Sequence, residues 1–300
     1  DVLPRYTFHA YASPIDSTNA TPQDWQVIGR DIAARYADYD GFVVLHGTDT
    51  MAYTASALSF MLQGLRKPVI LTGSQIPLKE TRSDALQNLV TALQLAASDA
   101  INEVAIYFHQ RLLRGNRSTK ISAERFSAFD SPNYPWLARV GIEVNWNTAA
   151  LLPRAEKENF QLPDYGHARI LSMRFVPGMH CNTLDAILAL SPHALIIEAY
   201  GAGNLPDNDP TWIKMLEDAN AKGVVLVVCS QSSHGRVDMN SYATNSSFKR
   251  AGLIGTSDMT FEAIYTKLHH LFALNLSVSK IKAELRRSIS GDLSLRCDTA

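Results

Sequence analysis

The chain has 300 residues, 46% hydrophobic and 19% charged, a globular composition that excludes a disordered chain. Its 28 Lys+Arg against 29 Asp+Glu give a net charge of −1, so no basic excess exists to hold a nucleic-acid backbone. No apolar run approaches the roughly 20 residues that cross a bilayer, so neither nucleic acid nor membrane is an expected partner.

The first predicted element is a helix over 22–36. Thr21 suits its N-cap, Pro22 its first position, and Asp24 completes a weak capping box. Ile28, Ile32 and Tyr36 recur on one face. A buried strand is predicted over 41–45, ending in His46-Gly47-Thr48-Asp49-Thr50. A helix over 52–65 follows, then a strand over 67–71 ending in Thr72-Gly73-Ser74-Gln75. A helix over 84–97 and a strand over 104–108 continue the alternation. The strands are almost wholly apolar, as in a parallel sheet covered on both faces.

Residues 153–168 break the pattern with Pro153, Arg154, Glu156, Lys157, Glu158, Pro163 and Gly166, the composition of a linker. Strands are then predicted over 170–175, 194–199 and 224–229, with helices over 183–190 and 211–221 between them. Two further helices are predicted over 259–274 and 278–288. The expected fold is therefore α/β: a larger N-terminal doubly wound, mostly parallel-sheet domain (1–152), a linker (153–168) and a smaller C-terminal α/β domain (169–300). Cys181, Cys229 and Cys297 are far apart and fit neither a metal-ligand spacing nor a disulfide framework, which suits a reducing compartment. The start, Asp1-Val2-Leu3-Pro4-Arg5, lacks the apolar core of a signal peptide.

In open α/β sheets, ligands bind beyond the carboxyl ends of the strands. Two polar loops fall there, His46 to Thr50 and Thr72 to Gln75. Each taken alone also reads as ordinary turn and N-cap chemistry. Gly115-Asn116-Arg117-Ser118-Thr119-Lys120 follows the third strand and brings a lysine to the same edge. His46 reads as an oriented loop or core histidine, Cys229 as a small buried hydrophobe, and His269-His270 as helical residues too close in sequence to share a metal.

These segments resemble the bacterial-type L-asparaginases. The likeness is carried by His46-Gly47-Thr48-Asp49-Thr50-Met51-Ala52, Val69 to Leu78, Arg114 to Lys120 and Ala128-Phe129-Asp130-Ser131-Pro132-Asn133. It continues through Tyr200-Gly201-Ala202-Gly203-Asn204 and Tyr242-Ala243-Thr244, and is nearest to the cytoplasmic, type I branch. The resemblance implies hydrolysis of L-asparagine to L-aspartate and ammonia, with no metal or organic cofactor, and leaves L-glutamine open as a second substrate. It implies catalytic roles for Thr48, Asp49 and Lys120. Lys120 would support deprotonation at Thr48 or of an attacking water, and Asp49 would hold Lys120 and the substrate's α-amino group. Asp16 and Ser17 match positions that grip the substrate's amino and carboxylate groups. Gly73 and Ser74 lie where backbone groups bind the side-chain amide.

The resemblance also implies self-association into a dimer of dimers, with a neighbouring subunit's C-terminal domain completing each site. The Gly201–Asn204 and Asp238–Tyr242 stretches are the candidates. At a regulatory asparagine site of some type I enzymes, Glu198 and Ser232 stand in place of an expected arginine and cysteine, so allosteric control is not expected. The family's Thr-Gly-Gly-Thr-Ile loop, which carries the usual nucleophile, is absent from the sequence. Omission of that first strand from a longer protein is preferred over a true truncation, because losing it would expose apolar edges on its neighbours. Two other readings stand beside hydrolysis: a non-catalytic amino-acid-binding module, and the asparaginase-like subunit of a tRNA-dependent amidotransferase.

Overall fold

The computed structural model describes residues 3–206, 209–237 and 245–294. The Asp238–Tyr242 stretch, Tyr242-Ala243-Thr244 and Cys297 lie outside them. The chain divides into two compact units, Asp1–Pro163 and Asp164–Ala300. Among the described residues no helix is long and apolar enough to cross a membrane.

The first unit opens with α1 (Pro22–Ala34). Asp24 Oδ2 accepts from both the Thr21 N–H and the Thr21 hydroxyl at 2.7 Å. Trp25, Ile28, Ile32 and Tyr36 are buried, as the stripe requires. Three parallel strands follow in spatial order: β1 (Phe42–Leu45), β2 (Val69–Thr72) and β3 (Val104–Phe108). α2 (Met51–Met61) has no separate polar face and is almost wholly buried, its Ser56 and Ser59 hydroxyls bonded to Gly115 O and Ala55 O. α3 (Ala85–Ala96) buries Ala92, Leu95 and Ala96 in a cluster with Ile70, Ala105 and Tyr107.

Two expectations need correction. β1 is half-buried, not buried, and Leu45 is 54% exposed, because β1 ends the strand order of this sheet among the described residues. The α/β class holds, yet the sheet is mixed rather than mostly parallel. Beyond β3 come β4 (Arg111–Arg114), β7 (Ala138–Val140) and β8 (Val144–Trp146), each antiparallel to its neighbour. Between β4 and β7 runs a separate ladder of β5 (Thr119–Lys120) and β6 (Phe129–Asp130).

The second unit is a parallel sheet of β9 (Ile170–Arg174), β10 (Ala194–Ala199), β11 (Val225–Ser230) and β12 (Ile254–Gly255), in that order. Alternate residues of the central strands point to opposite faces. Leu195, Ile197, Leu226 and Val228 pack with Leu184 of α4 (Cys181–Ala189) and Trp212 and Leu216 of α5 (Pro210–Ala221). A short α6 (Asn245–Arg250) precedes β12 and adds Phe248 to that face. Ile196, Val225 and Val227 pack with α7 (Phe261–Ala273) and α8 (Val278–Glu284).

α7 buries two adjacent histidines, and burial pushes both rings down to about 4. The Tyr165 hydroxyl lies 2.7 Å from His270 Nδ1. Depressed histidines bind fewer protons in the folded chain than in the unfolded one. Their contribution is fully present above about pH 6.5 and is lost as pH falls toward 4, at roughly 1.4 kcal/mol per pH unit for each ring. Urea unfolding is therefore expected to show a stability falling steeply from pH 7 to 5, with a shallower slope in His270→Gln. An identical slope in that variant would sink the assignment.

Candidate active site

The carboxyl ends of β1 and β2 deliver the two polar loops side by side. The ladder extends one step past the strands, with His46 N–H donating to Thr72 O at 2.8 Å. A Cβ on residue 73 would lie 2.2 Å from His46 O, so Gly73 is what lets the loops approach. A Cβ on residue 47 would meet Ser17 Oγ at 2.3 Å, so Gly47 admits the Asp16–Ser17 turn against the first loop. Thr50 Oγ ties the same turn down by donating to Ser17 O at 2.7 Å.

Lys120 reaches this edge from β5. Its Nζ donates to Thr48 Oγ at 2.9 Å and to Asp49 Oδ1 at 2.7 Å. An ammonium has donors and no lone pair, so in this state it holds Thr48 Oγ as an acceptor and leaves the hydroxyl hydrogen directed elsewhere. Thr18 Oγ donates to the second Asp49 oxygen at 3.2 Å. The Lys120 ammonium, first by its hydrogen bond and then by its charge, holds the Asp49 carboxyl below the usual carboxylate range. The pair is open to solvent on the Asp49 side, which is 58% exposed, and sheltered on the Lys120 side, at 22%.

Asp16 N-caps the short turn Ser17–Asn19. Its Oδ1 accepts from Thr18 N–H and its Oδ2 from Asn19 Nδ2, both at 3.0 Å. Ser17 is buried beneath the first loop. His46 is an oriented loop residue. Its Nδ1 lies 2.7 Å from Gly47 O and its Nε2 lies 2.8 Å from the Thr54 hydroxyl. A carbonyl only accepts, so the proton sits on Nδ1 and the Thr54 hydroxyl donates to Nε2. Burial pushes the ring below its ordinary value, which keeps it neutral.

The structure thus brings Thr48, Asp49 and Lys120 into mutual contact and joins Asp16 and Ser17 to them through Thr18 and Thr50. Gly73 and Ser74 are linked to that group through the His46 backbone. Sequence reasoning missed Thr18, which holds the outer oxygen of Asp49, and Asp84 and Asn88, which hold the second loop. Asp84 carried a signal, an acid at a helix start beside a polar loop, but a helix start explains it equally well.

In the second unit, Gly201–Asn204 forms a tight turn after β10, closed by Gly203 N–H and Asn204 N–H on Tyr200 O. Glu198 at the end of β10 pairs with Arg174 at 3.3 Å, and the Ser232 N–H is held by Ser230 Oγ at 2.9 Å. Cys229 is 4% exposed, and burial pushes its thiol up to about 12, so it is an inert core residue.

Comparison with known proteins follows the same division. Residues 6–152 match the family model "Asparaginase, N-terminal", and residues 169–285 match "Glutaminase/Asparaginase C-terminal domain". L-asparaginase 1 of Escherichia coli K12 is 46% identical over 97% of this chain and 86% of its own length. The crystal structure of L-asparaginase I from Vibrio cholerae superposes with a TM-score of 0.92 at 43% identity, covering 98% of this chain and 88% of that one. A more distant relative is a glutamyl-tRNA(Gln) amidotransferase component of Aeropyrum pernix, 34% identical over 93% of this chain and 67% of its own length.

Proposed function

The chain belongs to the asparaginase family, and we propose that it hydrolyses L-asparagine to L-aspartate and ammonia through Thr48, Asp49 and Lys120. The observation that carries this reading is the Lys120 ammonium bridging Thr48 Oγ and Asp49 Oδ1 at the carboxyl edge of a parallel sheet. An amide is a poor electrophile, so the reaction needs an activated oxygen and donors aimed at the amide oxygen. Thr48 with Lys120 supplies the first: for this step Lys120 must be the neutral amine, whose lone pair takes the proton of the Thr48 hydroxyl or of a water. Backbone groups of Gly73 and Ser74 supply the second. The C–N bond of the side-chain amide breaks and the nitrogen leaves as ammonia with the proton that the attacking oxygen gave up to Lys120; where Thr48 attacks, water then cleaves the ester and restores the hydroxyl, so in either case water's oxygen ends on the new carboxylate.

The zwitterionic end of the substrate sets the remaining roles. The exposed face of Asp49 suits the α-amino group, and the Asp16–Ser17 turn beside it completes the grip on the amino and carboxylate groups. A cytoplasmic location and assembly into a dimer of dimers, with Gly201–Asn204 of a neighbouring subunit closing the site, accompany this reading. The geometry leaves L-glutamine open as a second substrate, since one methylene is worth only about 1–3 kcal/mol. The test is ammonia release from L-asparagine by the purified protein, with Thr48→Ala as control. The expected result is steady release that falls at least about 100-fold in Thr48→Ala. Near-normal turnover by Thr48→Ala would remove Thr48 from the mechanism.

A further inference from the structure

We propose that Asp84 and Asn88 are positioning residues, which clamp the Gly73–Ser74–Gln75 segment so that the Ser74 backbone faces the substrate's side-chain amide. The inference rests on the proposed function, in which this segment binds that amide.

At the start of α3, Asp84 occupies the N-cap position but makes no cap hydrogen bond to its own helix. Ser83 takes that duty, its Oγ accepting from Ala85 N–H at 3.1 Å. The Asp84 carboxylate turns back to the loop instead. Its Oδ1 accepts from Gln75 N–H and Ile76 N–H, both at 3.0 Å, and its Oδ2 lies 3.1 Å from Gln75 N. One turn along the helix, Asn88 is 2% exposed. Its Nδ2 donates to Gly73 O at 2.9 Å and to Asp84 Oδ2 at 3.0 Å, while its Oδ1 accepts from His109 N–H at 3.3 Å. Asn88 therefore ties the loop after β2, the start of α3 and the turn after β3 to one another.

Peptide planarity turns these contacts into an orientation. In a trans peptide the C=O and the N–H point in opposite directions. Asn88 holds Gly73 C=O, which sends Ser74 N–H the other way. Asp84 holds Gln75 N–H, which sends Ser74 C=O the other way. Ser74 N–H and C=O have no hydrogen-bond partner among the described residues. One fixed donor and one fixed acceptor match the C=O and NH₂ of a primary amide. Donors that stabilise an oxyanion act only when held to within about half an ångström. A helix start that leaves its own cap to Ser83 in order to fix two peptide planes has the form such holding requires.

The test uses Asp84→Asn, which keeps the shape and replaces one acceptor oxygen with a donor. For L-asparagine we expect kcat to fall about 10- to 100-fold while KM stays within threefold, the pattern of an interaction made in the transition state. Asn88→Ser should do the same, and it serves where Asp84→Asn does not fold. The double variant should fall no further than the worse single one, because the two act as a unit. Amide hydrogen exchange at Gln75 and Ile76, the two amides that Asp84 holds, should quicken at least tenfold, with the rest of the first unit unchanged. Quicker exchange with an unchanged kcat would overturn the proposal, as would a kcat loss that tracks general loss of protection. Should the wild-type protein bind L-asparagine without releasing ammonia, hydrolysis falls as a reading. The clamp is then judged by calorimetry: tenfold weaker L-asparagine binding in Asp84→Asn supports it, and unchanged binding overturns it.

Discussion

Replacing Lys120 with methionine is expected to cut ammonia release from L-asparagine about 10³-fold, within the range typical of a positioned acid–base group. Methionine keeps most of the apolar stem, which covers surface between strand and loop, and removes only the charged head. The variant should therefore unfold at a denaturant concentration close to the wild type's. What is lost is specific. Thr48 Oγ loses the Nζ donor at 2.9 Å, and Asp49 Oδ1 loses the cation at 2.7 Å. The Asp49 carboxyl should then climb back toward its ordinary value, since Lys120 is the main cause of its depression. Thr18 still holds the other Asp49 oxygen, so substrate binding should suffer less than the rate. Rates over a pH series with saturating L-asparagine separate these effects. A Lys120→Met enzyme retaining more than a tenth of the wild-type kcat would remove Lys120 from the reaction.

Much of this site is legible in the chain because it depends on local chemistry at strand ends. An apolar strand followed by Gly-Thr-Asp-Thr, or by Thr-Gly-Ser-Gln, already announces a polar loop on the binding edge. The strands that set this edge are equally plain. Those over 104–108 and 194–199 have the bounds the sequence predicts, because the first is an unbroken apolar run and the second is broken only by Glu198 near its end. The part that positions Lys120 is not legible. β4 to β8 are strands of two to four residues, too short for a periodic signal, and they carry Arg111, Arg114 and Arg139. A charged residue in sequence reads as surface. Here Arg114 is 3% exposed and is compensated by Glu103, whose Oε2 accepts from Nε at 2.5 Å, and by Ala150 O. Only the partner makes that burial tolerable, and no local pattern in the sequence identifies the partner. Asn88 escapes notice for a related reason: a buried amide on an amphipathic helix looks like any polar position until its three partners are known.

The same logic predicts the largest stability effect. Lys267 on α7 and Asp292 near the end of the described chain form an ion pair 2.6 Å long with both side chains fully buried. The ammonium also donates to Arg287 O at 2.6 Å. The other carboxylate oxygen accepts from Ile289 N–H at 2.7 Å and Ser290 N–H at 3.1 Å, so the pair closes the segment after α8 onto α7. Burial pushes the ammonium down, against the opposing pull of Asp292. Asp292→Ala strips that buried cation of its direct partner, leaving only the weaker pull of Glu284, and frees two backbone donors. The expected loss is about 3–5 kcal/mol. Replacing both members by apolar residues of similar size, Lys267→Met with Asp292→Leu, removes the uncompensated charge and leaves the two freed amides and the Arg287 carbonyl without its ammonium donor. That double variant should recover at least half of the loss, because the single variant's cost lies mainly in stranding one charge rather than in the worth of the pair. Urea unfolding of the three chains at pH 7.5 distinguishes the cases. A double variant as unstable as Asp292→Ala would show that the loop hydrogen bonds, and not the stranded ammonium, carry the effect.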